Sequence, residues 1–399
     1  MPSKKFPTLF VSFLLAFSVF HFRAIAAEEA ANSTDAQNLS QSNCLVYVGT
    51  YTGQKSKGIY AFQMDVRDGS LSPLGLVGET RNPAFLDIDE QRKFLFAINE
   101  IGDFEGKPAG SVTSFSINAA TGMLTQLGQR SSIGSGPCYV LLGPDGGNVL
   151  LANYGSGSVA VLPVEPDGHL GDSTAFVQHI GKSVNPARQQ GPHAHCLTLD
   201  PANRFAFACD LGLDKILTYK FDSRHGTLVP NEPQFAAIKP GSGPRHIVFH
   251  PNGRQAYVIS ELKSTITRFA YDSNHGVLTE MQTISTVPDD FKGRNYPAEI
   301  AIHPSGAFLY GSNRGHDSIA IFAIDSATGA LKPVGYEPTH GKYPRSFGID
   351  PSGNYLLAAN QNSDNLVVFR IDPATCRLKF TGQINDIPSP ACIKFFTRR

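Results

Sequence analysis

The chain has 399 residues, among them 38 Gly, 27 Pro and no Trp, and only 17% of its residues are charged. This composition is typical of a globular protein rich in turns, and it excludes a disordered or a fibrous chain. Lys and Arg together number 34, as do Asp and Glu, so no net charge attracts nucleic acid or an anionic membrane, and we expect neither as a partner.

The first residues have the layout of a secretory signal peptide. Lys4 and Lys5 precede an apolar stretch over residues 10–22, which is short for a membrane-spanning helix, and small alanines follow. We therefore expect a signal peptide over residues 1–27, export to the periplasm or the medium, and no membrane association after cleavage. An uncleaved anchor is the alternative, and it would also leave the remainder outside the cytoplasm. Residues 28–43 are polar and aperiodic, and they are predicted to form a flexible tail.

From residue 44 onward the chain repeats one pattern. Seven units open on a proline and a short apolar run, namely "NPAFLDID", "GPCYVLLG", "GPHAHCLTLD", "GPRHIVFH", "YPAEIAIH", "YPRSFGID" and "SPACIKFF". A turn such as "PNG" or "PSG" and a second apolar run that ends in a polar residue follow, and a third run leads to a turn such as "HGVL" or "TGAL". Gly suits that hairpin turn because it readily adopts a positive φ, and Cys376 breaks the pattern in the last unit.

The repeat predicts the fold. Short strands of period two with turn signals at both ends, and no helical stretch, predict an all-β fold with about four strands in each unit of about fifty residues. Seven such units arranged radially predict a seven-bladed β-propeller with four-stranded antiparallel blades over residues 44–399. The last opening run, "SPACIKFF", is not followed by a second run. The run "CLVYVGT" near residue 44 has the pattern of a second run, but no opening run precedes it. We therefore expect the C-terminal strand to join the N-terminal blade and close the ring, which removes a free sheet edge.

Two rings of residues are predicted at one mouth of the central channel. The opening strand lines the channel and the second strand runs antiparallel to it, so the start of one and the end of the other share a rim. The openings give an inner ring at Ala84, Cys138, His195, Arg245, Ala298, Arg345 and Ala391. The ends of the second strands give a ring at Thr50, Asn99, Asn153, Asp210, Glu261, Asn313 and Asn360, with Glu100 and Arg314 one step beyond.

The charged members of these rings mark a candidate site. A purely structural repeat would place the same small or polar residue at every equivalent position, yet Arg314 stands where another unit has Gln361. Arg, His and Glu occur in a few blades only, which favours a function for them. A structural role is the alternative for each, since Arg245 could simply pair with Glu261 across adjacent strands.

Six cysteines are too few for a disulfide-built fold in a chain of this length. Cys196 and Cys209 fall on neighbouring predicted strands, so they are the pair to test for a disulfide if the compartment is oxidising. Buried free thiols are expected for most of the cysteines.

Several motifs together resemble the lactonase family of seven-bladed propellers. They are "YVGTYT", "GPHAHC", "GPRHIVFHPNG", "YVISEL" and "SNRGHDSIAIF", and the likeness extends from about residue 45 to residue 396. The family includes bacterial propeller-type 6-phosphogluconolactonases and the fungal carboxymuconate lactonizing enzyme. The resemblance implies a site at the channel mouth made of a His, an Arg, a Glu and a further Arg, at the positions His195 (or His193), Arg245, Glu261 and Arg314.

These residue types fit the chemistry of lactone hydrolysis. A base must take a proton from the attacking water, and a cation must stabilise the developing oxyanion. Glu261 or His195 is the candidate base. Arg245 and Arg314 are candidates for binding the oxyanion and an anionic group of the substrate, because a planar guanidinium can hold a phosphate or carboxylate with two hydrogen bonds. Further candidates for substrate binding are His193, Asn153, Glu299 and Arg345.

We expect a monomer whose partner is a small lactone, with no redox cofactor and no metal, since the candidate ligands are interleaved with Arg. The signal peptide conflicts with the cytoplasmic origin of 6-phosphogluconolactone, so either the signal-peptide interpretation is wrong or the chain is an exported lactonase acting on a sugar lactone or an aromatic-derived lactone outside the cytoplasm. Two alternatives stay open. One is a lactonizing enzyme of the carboxymuconate type, and the other is a non-catalytic propeller that binds protein or glycan through the same face. The charges retained in the rings favour an enzyme.

Overall fold

The structure is a computed structural model, and it describes residues 1–4 and 43–397. Within these residues seven four-stranded antiparallel sheets form the ring, which confirms the predicted seven-bladed β-propeller. The predicted signal peptide (1–27) and tail (28–43) lie outside the described residues, except for the first four residues and Asn43, which begins the first strand. No helix long and apolar enough to cross a membrane occurs in the described part of the chain.

The blades are numbered around the ring, and the four strands of each blade are given in order from the central channel outward. Blade 1 comprises β28 (Pro390–Thr397), β1 (Asn43–Thr50), β2 (Gly58–Asp65) and β3 (Leu71–Glu79). Blade 2 comprises β4 (Phe85–Asp89), β5 (Phe94–Asn99), β6 (Ser111–Ile117) and β7 (Leu124–Ser131). Blade 3 comprises β8 (Pro137–Leu142), β9 (Asn148–Asn153), β10 (Ser158–Pro163) and β11 (Ala175–Gln178). Blade 4 comprises β12 (Ala194–Leu199), β13 (Phe205–Asp210), β14 (Lys215–Asp222) and β15 (Thr227–Ala237).

The remaining three blades follow the same order from the channel outward. Blade 5 comprises β16 (Pro244–Phe249), β17 (Gln255–Ser260), β18 (Thr265–Asp272) and β19 (Val277–Ser285). Blade 6 comprises β20 (Tyr296–Ile302), β21 (Phe308–Arg314), β22 (Ser318–Ile324) and β23 (Leu331–Pro338). Blade 7 comprises β24 (Pro344–Ile349), β25 (Tyr355–Asn360), β26 (Asn365–Ile371) and β27 (Leu378–Asp386).

The ring closes as the repeat predicts. The C-terminal strand β28 is the innermost strand of blade 1 and pairs antiparallel with β1, from Cys44 opposite Thr397 to Thr50 opposite Pro390. Blade 1 is therefore assembled from both ends of the chain, and no innermost strand is left without its second strand.

Neighbouring blades are joined by a buried tyrosine in the second strand. The Tyr257 hydroxyl donates to the carbonyl of Gly329 (2.8 Å), which lies in the outer turn of the next blade, and Tyr310 donates to the carbonyl of Cys376 (2.9 Å) in the same way. Gly329 and Cys376 both have a positive φ, 76° and 50°. Cys376 thus adopts the left-handed turn conformation that Gly provides elsewhere, although its side chain makes that conformation less favourable.

Cys196 and Cys209 lie directly opposite each other in β12 and β13. Both are free thiols, and both are buried. The two residues predicted to lie on neighbouring strands are therefore neighbours.

Candidate active site

The strand register shows which residues are equivalent in the seven blades. Pro137, at the start of β8, pairs with Asn153, whereas Pro244, at the start of β16, pairs with Ser260. Ser260 is therefore the equivalent of Asn153, and Glu261 lies one position beyond the ring in which the sequence alignment placed it. The sequence alignment was wrong by one residue here, because two consecutive polar residues, Ser260 and Glu261, follow the apolar run in "YVISEL".

Two adjacent rings result, one residue apart along the chain. The end ring consists of the last residues of the second strands, or the last but one in β21, namely Thr50, Asn99, Asn153, Asp210, Ser260, Asn313 and Asn360, and every one of them is 0% exposed. The rim ring consists of the residues that follow, Tyr51, Glu100, Tyr154, Leu211, Glu261, Arg314 and Gln361. Backbone hydrogen bonds join the rim ring to the residues that precede the innermost strands, for example from the amide of Glu261 to the carbonyl of Gly243 (2.8 Å).

A cavity of about 380 Å³ occupies this mouth of the channel. The rim ring supplies five lining residues, Tyr51, Glu100, Tyr154, Glu261 and Arg314, and the inner ring supplies Cys138, His195 and Arg345. Tyr296, Tyr343 and the loop residue Arg188 complete the lining. Four of the predicted site residues thus meet at one cavity. Its three arginines outnumber its two glutamates, which favours an anionic ligand.

Glu261 is buried among three arginines. Its Oε1 accepts a hydrogen bond from Nη2 of Arg188 (2.6 Å), and its Oε2 accepts one from Nη2 of Arg314 (2.5 Å). Nε of Arg245 lies 3.5 Å from Oε2. Burial favours the neutral carboxyl, but the three positive charges outweigh it and lower the pKa of Glu261 to about 2. A carboxylate with so low a pKa and both oxygens engaged is a weak base.

Arg245 lies directly beneath the cavity rather than in its lining. Its side chain is buried, its Nη1 donates to the carbonyl of Ala298, and the same nitrogen lies 3.2 Å from Nε2 of His246. Burial and two nearby arginines lower the pKa of Arg245 to about 10, so the guanidinium is still charged at neutral pH. The cross-strand contact with Glu261 that the sequence suggested as a structural role is present.

His195 lines the cavity as a neutral imidazole. It is 5% exposed, and burial together with the positive charge of Arg245 lowers its pKa well below 6.5. Its Nδ1 lies 3.7 Å from Sγ of Cys138, and its ring meets that of Tyr154 edge-on with 5.4 Å between centroids. A neutral histidine carries a lone pair on one ring nitrogen, so it can accept a proton from water.

Arg345 is the lining cation with the fewest engaged donors. The other two lining arginines donate to Glu261, whereas Arg345 makes no hydrogen bond to any residue of the ranges 1–4 and 43–397. Its Nη2 lies 3.7 Å from Oε2 of Glu100, and its guanidinium carbon lies 5.2 Å from the ring centroid of Tyr51. Arg345 therefore has donors available for a ligand.

Tyr343 holds a backbone conformation that is unusual for tyrosine. The residue directly before the opening proline has a positive φ in five blades, at Asn82, Gly136, Gly243, Tyr343 and Ser389. Gly and Asn tolerate this conformation, whereas a tyrosine with a φ of 64° is strained. The Tyr343 ring lines the cavity and lies 5.0 Å from the guanidinium carbon of Arg314. The strain therefore occurs where the side chain faces the cavity.

Three predicted binding residues do not line the cavity. His193 stacks on Tyr154, with 4.5 Å between centroids, and its Nδ1 donates to the Tyr154 carbonyl (2.9 Å). Asn153 is fully buried, and its Nδ2 donates to the carbonyl of Ser132 (3.1 Å), in the segment that connects blade 2 to blade 3. Glu299 lies in the next layer of the channel, where its Oε1 is 2.9 Å from Nδ1 of His246.

Aromatic rings from three blades meet in that next layer. The centroids of Phe85 and Tyr139 are 4.4 Å apart, and that of His246 lies 5.3 Å from Tyr139 and 5.2 Å from His195. Burial and the charge of Arg245, opposed by Glu299, lower the pKa of His246 to about 4. The neutral His246 therefore donates its Nδ1 hydrogen to Glu299, and this packed layer forms the floor beneath the cavity.

Sequence reasoning missed several lining residues, and some had a signal. Tyr296 and Tyr343 directly precede the opening prolines in "YPAEIAIH" and "YPRSFGID". Tyr51 and Tyr154 would have emerged from a consistent alignment of the rim ring. Arg188 comes from the loop between β11 and β12, which has no equivalent in the other blades, so the repeat carries no information about it.

The polar groups of the cavity are engaged mainly with one another. Glu100 accepts a hydrogen bond from the Tyr51 hydroxyl (2.5 Å) through Oε2, and Glu261 is held by arginines. Within the part of the chain that the structure describes, no group of three or more His, Cys, Asp or Glu side chains is arranged to hold a metal ion.

Comparison with known proteins agrees with this geometry. The family model for the seven-bladed β-propeller lactonases matches residues 45–395. A 6-phosphogluconolactonase of Bacillus subtilis is 37% identical over 295 residues, which are 74% of this chain and 82% of that protein. A 6-phosphogluconolactonase of Formosa agariphila is 32% identical over 302 residues, covering 74% of this chain and 84% of the relative.

A solved structure extends the likeness to three dimensions. The periplasmic gluconolactonase PpgL of Pseudomonas aeruginosa superposes with a TM-score of 0.84 at 36% identity, covering 90% of this chain and 100% of that one. The fold and the family model together place the chain in the class of propeller lactonases. The chain belongs to the lactonase family of seven-bladed β-propellers, and it is a lactone-hydrolysing enzyme.

Proposed function

We propose that this enzyme hydrolyses a sugar lactone that carries an anionic group, with 6-phospho-D-glucono-1,5-lactone as the first candidate and 6-phosphogluconate as its product. The observation that carries the proposal is that one cavity is lined both by a neutral His195 and by Arg345, a cation whose donors are not engaged in hydrogen bonds with described residues. The names of the Bacillus and Formosa relatives support the same substrate class.

His195 is the proposed general base. It takes a proton from a water molecule, whose oxygen forms a bond to the lactone carbonyl carbon. The ring C–O bond then breaks, and the proton passes from His195 to the ring oxygen, which becomes a hydroxyl group. Between the two candidate bases, Glu261 has both carboxylate oxygens engaged by arginines, whereas Nε2 of His195 has no hydrogen-bond partner among the described residues, which favours His195.

Arginines are proposed to stabilise the negative charges. Arg345 can donate to the oxyanion or to the anionic group of the substrate because its own hydrogen bonds are not committed to protein groups. Arg314 and Arg188 are held by Glu261, which gives them fixed positions on the cavity wall. Preorganised donors of this kind lower the barrier because they need not reorient as charge develops.

A second candidate is an exported enzyme acting on unphosphorylated gluconolactone. Two observations favour it, namely the signal-peptide layout of residues 1–27 and the periplasmic neighbour PpgL. Both candidates share the reaction and the site, and they differ in whether an arginine binds a phosphate.

A pH-stat assay of the purified protein on phosphorylated and plain sugar lactones, with and without EDTA, distinguishes the two candidates. The proposal expects EDTA-insensitive turnover with a higher kcat/KM for the phosphorylated lactone. A higher kcat/KM for plain gluconolactone would favour the exported candidate, and no turnover of any lactone would contradict both.

Two substitutions test the roles of the residues. His195→Gln is expected to lower kcat by about 10²–10⁴-fold, the usual contribution of a general base, with little change in KM. Arg345→Ala is expected to lower kcat/KM by about 10²-fold, as removal of one oxyanion donor typically does. Arg254→Ala, in an exposed turn of blade 5, is the matched control and should have no effect. Wild-type rates in both site variants would contradict the assignment.

A further inference from the structure

We propose that Cys138 is a positioning residue that fixes the tautomer of His195, so that Nδ1 carries the hydrogen and Nε2 keeps its lone pair for the cavity. The inference rests on the proposed role of His195 as the base. It concerns which nitrogen of the ring does the chemistry, and it assigns a task to a cysteine that none of the catalytic steps uses directly.

The contact arises from the position of both residues in the inner ring. Cys138 follows the first residue of β8 and His195 follows that of β12, and in both strands the register shifts at this residue. The two side chains belong to adjacent blades, and both line the cavity. In three blades this position is alanine, whose methyl group can form no hydrogen bond, at Ala84, Ala298 and Ala391.

Three acceptors surround the thiol, and their distances decide where its hydrogen points. Sγ of Cys138 lies 3.3 Å from the carbonyl oxygen of His195, 3.6 Å from that of Ala194 and 3.7 Å from Nδ1 of His195. A carbonyl oxygen can only accept, and the nearest acceptor is such an oxygen, so the single S–H is donated there. The sulfur lone pairs are then left to accept a hydrogen from Nδ1.

The chemical state of the thiol agrees with this assignment. Cys138 is buried, and burial together with the nearby Glu100 raises the pKa of its thiol well above 9. The group therefore stays an S–H donor at neutral pH and is not a thiolate nucleophile.

Nε2 of His195 is the nitrogen left for the reaction. It has no hydrogen-bond partner among the described residues, and it is not one of the fully buried unpartnered atoms. Its ring neighbours, Tyr154 and His246, make edge contacts with the ring rather than hydrogen bonds to it. If Nδ1 carries the hydrogen, Nε2 can accept a proton from water. In the other tautomer Nε2–H would face the water and could only donate.

The tautomer can be measured directly, without substrate. Long-range ¹H–¹⁵N NMR spectra of the full chain with ¹⁵N-labelled histidine, recorded at neutral pH, distinguish Nδ1–H from Nε2–H imidazoles, and the signal lost in His195→Gln identifies His195. The wild type is expected to show the Nδ1–H form. Cys138→Ala should increase the Nε2–H form and lower kcat about three- to tenfold, the effect of one weak hydrogen bond, with KM changed by less than about twofold.

Two further variants separate positioning from packing. Cys138→Ser retains a group that both donates and accepts, so it should keep mainly the Nδ1–H form and recover most of the lost kcat. Cys209→Ala removes another buried thiol that does not line the cavity, and it should change neither spectrum nor kcat.

An Nε2–H imidazole in the wild type would overturn the proposal, whether or not the variants fold. So would Cys138→Ala with an unchanged tautomer, even if its activity were low, because the loss would then be one of packing. Absence of lactonase activity in the wild type would instead count against the proposed function, since the spectra need no turnover.

Discussion

The end ring and the rim ring are one residue apart in sequence and differ completely in character. The end ring is fully buried and consists of Asn, Ser, Thr and one Asp, whereas five members of the rim ring line the cavity and include two Glu and one Arg. Asn99, Asn153, Asn313 and Asn360 each donate to a backbone carbonyl in the segment that connects the preceding blade to their own. One step along the chain therefore separates residues that hold the blades from residues that face a substrate.

The difference follows from the geometry of a strand end. Successive residues of a strand point to opposite sides, so the end-ring residue points into the packed interior while the next one turns toward the mouth. A buried backbone carbonyl needs a hydrogen-bond donor, and an Asn side chain supplies one in four blades. The rim position has no such structural requirement, so its identity is free to vary with function.

The largest effect is expected from removing the charge of Glu261. Glu261→Gln leaves three arginines without their carboxylate, so we expect a loss of about 3 kcal/mol in the free energy of unfolding and about a 10²-fold loss in kcat/KM. Urea unfolding and steady-state kinetics measure both. Gln361→Ala is the control from the same ring, since Gln361 does not line the cavity, and its kcat/KM should equal that of the wild type.

Low pH should remove the stabilisation that the Glu261 carboxylate provides in the wild type, whereas Glu261→Gln has no such carboxylate to lose. The pKa of Glu261 is lowered from 4.5 to about 2 in the folded protein. Its contribution to stability is therefore fully present above about pH 4.5 and is lost as the pH falls toward 2. The difference in unfolding free energy between the wild type and Glu261→Gln should shrink over that range, and a constant difference would contradict the charge assignment.

The end ring should respond in stability but not in activity. Asn153→Ala deletes the donor to a buried carbonyl, so we expect the free energy of unfolding to fall by about 1–3 kcal/mol. Asn360→Ala, which loses an equivalent bond in blade 7, should cost a similar amount. A kcat/KM more than about tenfold below wild type in Asn153→Ala alone would show that Asn153 also serves the substrate, as the sequence suggested.

The smallest effect concerns strain at the rim. Tyr343→Gly removes a left-handed tyrosine, so the free energy of unfolding should change by less than about 1 kcal/mol, while loss of the ring beside Arg314 should lower kcat/KM about three- to tenfold. Tyr296→Gly is the matched control, because Tyr296 lines the cavity without a positive φ and gains no relief. Equal destabilisation of both variants would show that Tyr343 is not strained.

The fold was predictable because the repeat is regular, and the closure by β28 followed from the unmatched units at the two ends. Most of the inner ring was also predictable, since aligned prolines place His195 and Arg345 at the mouth. The sequence alignment placed Glu261 in the end ring instead of the rim ring, because Ser260 and Glu261 are both polar. Only the pairing of Ser260 with Pro244 in the structure resolves the register. Arg188 was not predictable, because its loop lies outside the repeat.

The pairing of β28 with β1 also determines the order in which the protein can be completed. Among the described strands, β28 is synthesised last and its partner β1 first. Blade 1 therefore stays a three-stranded sheet with an open edge until β28 has left the ribosome, and the closing step joins strands that are far apart in the sequence. Long-range pairing of this kind is slow to form, so the ring is expected to become resistant to proteases only after β28 is available.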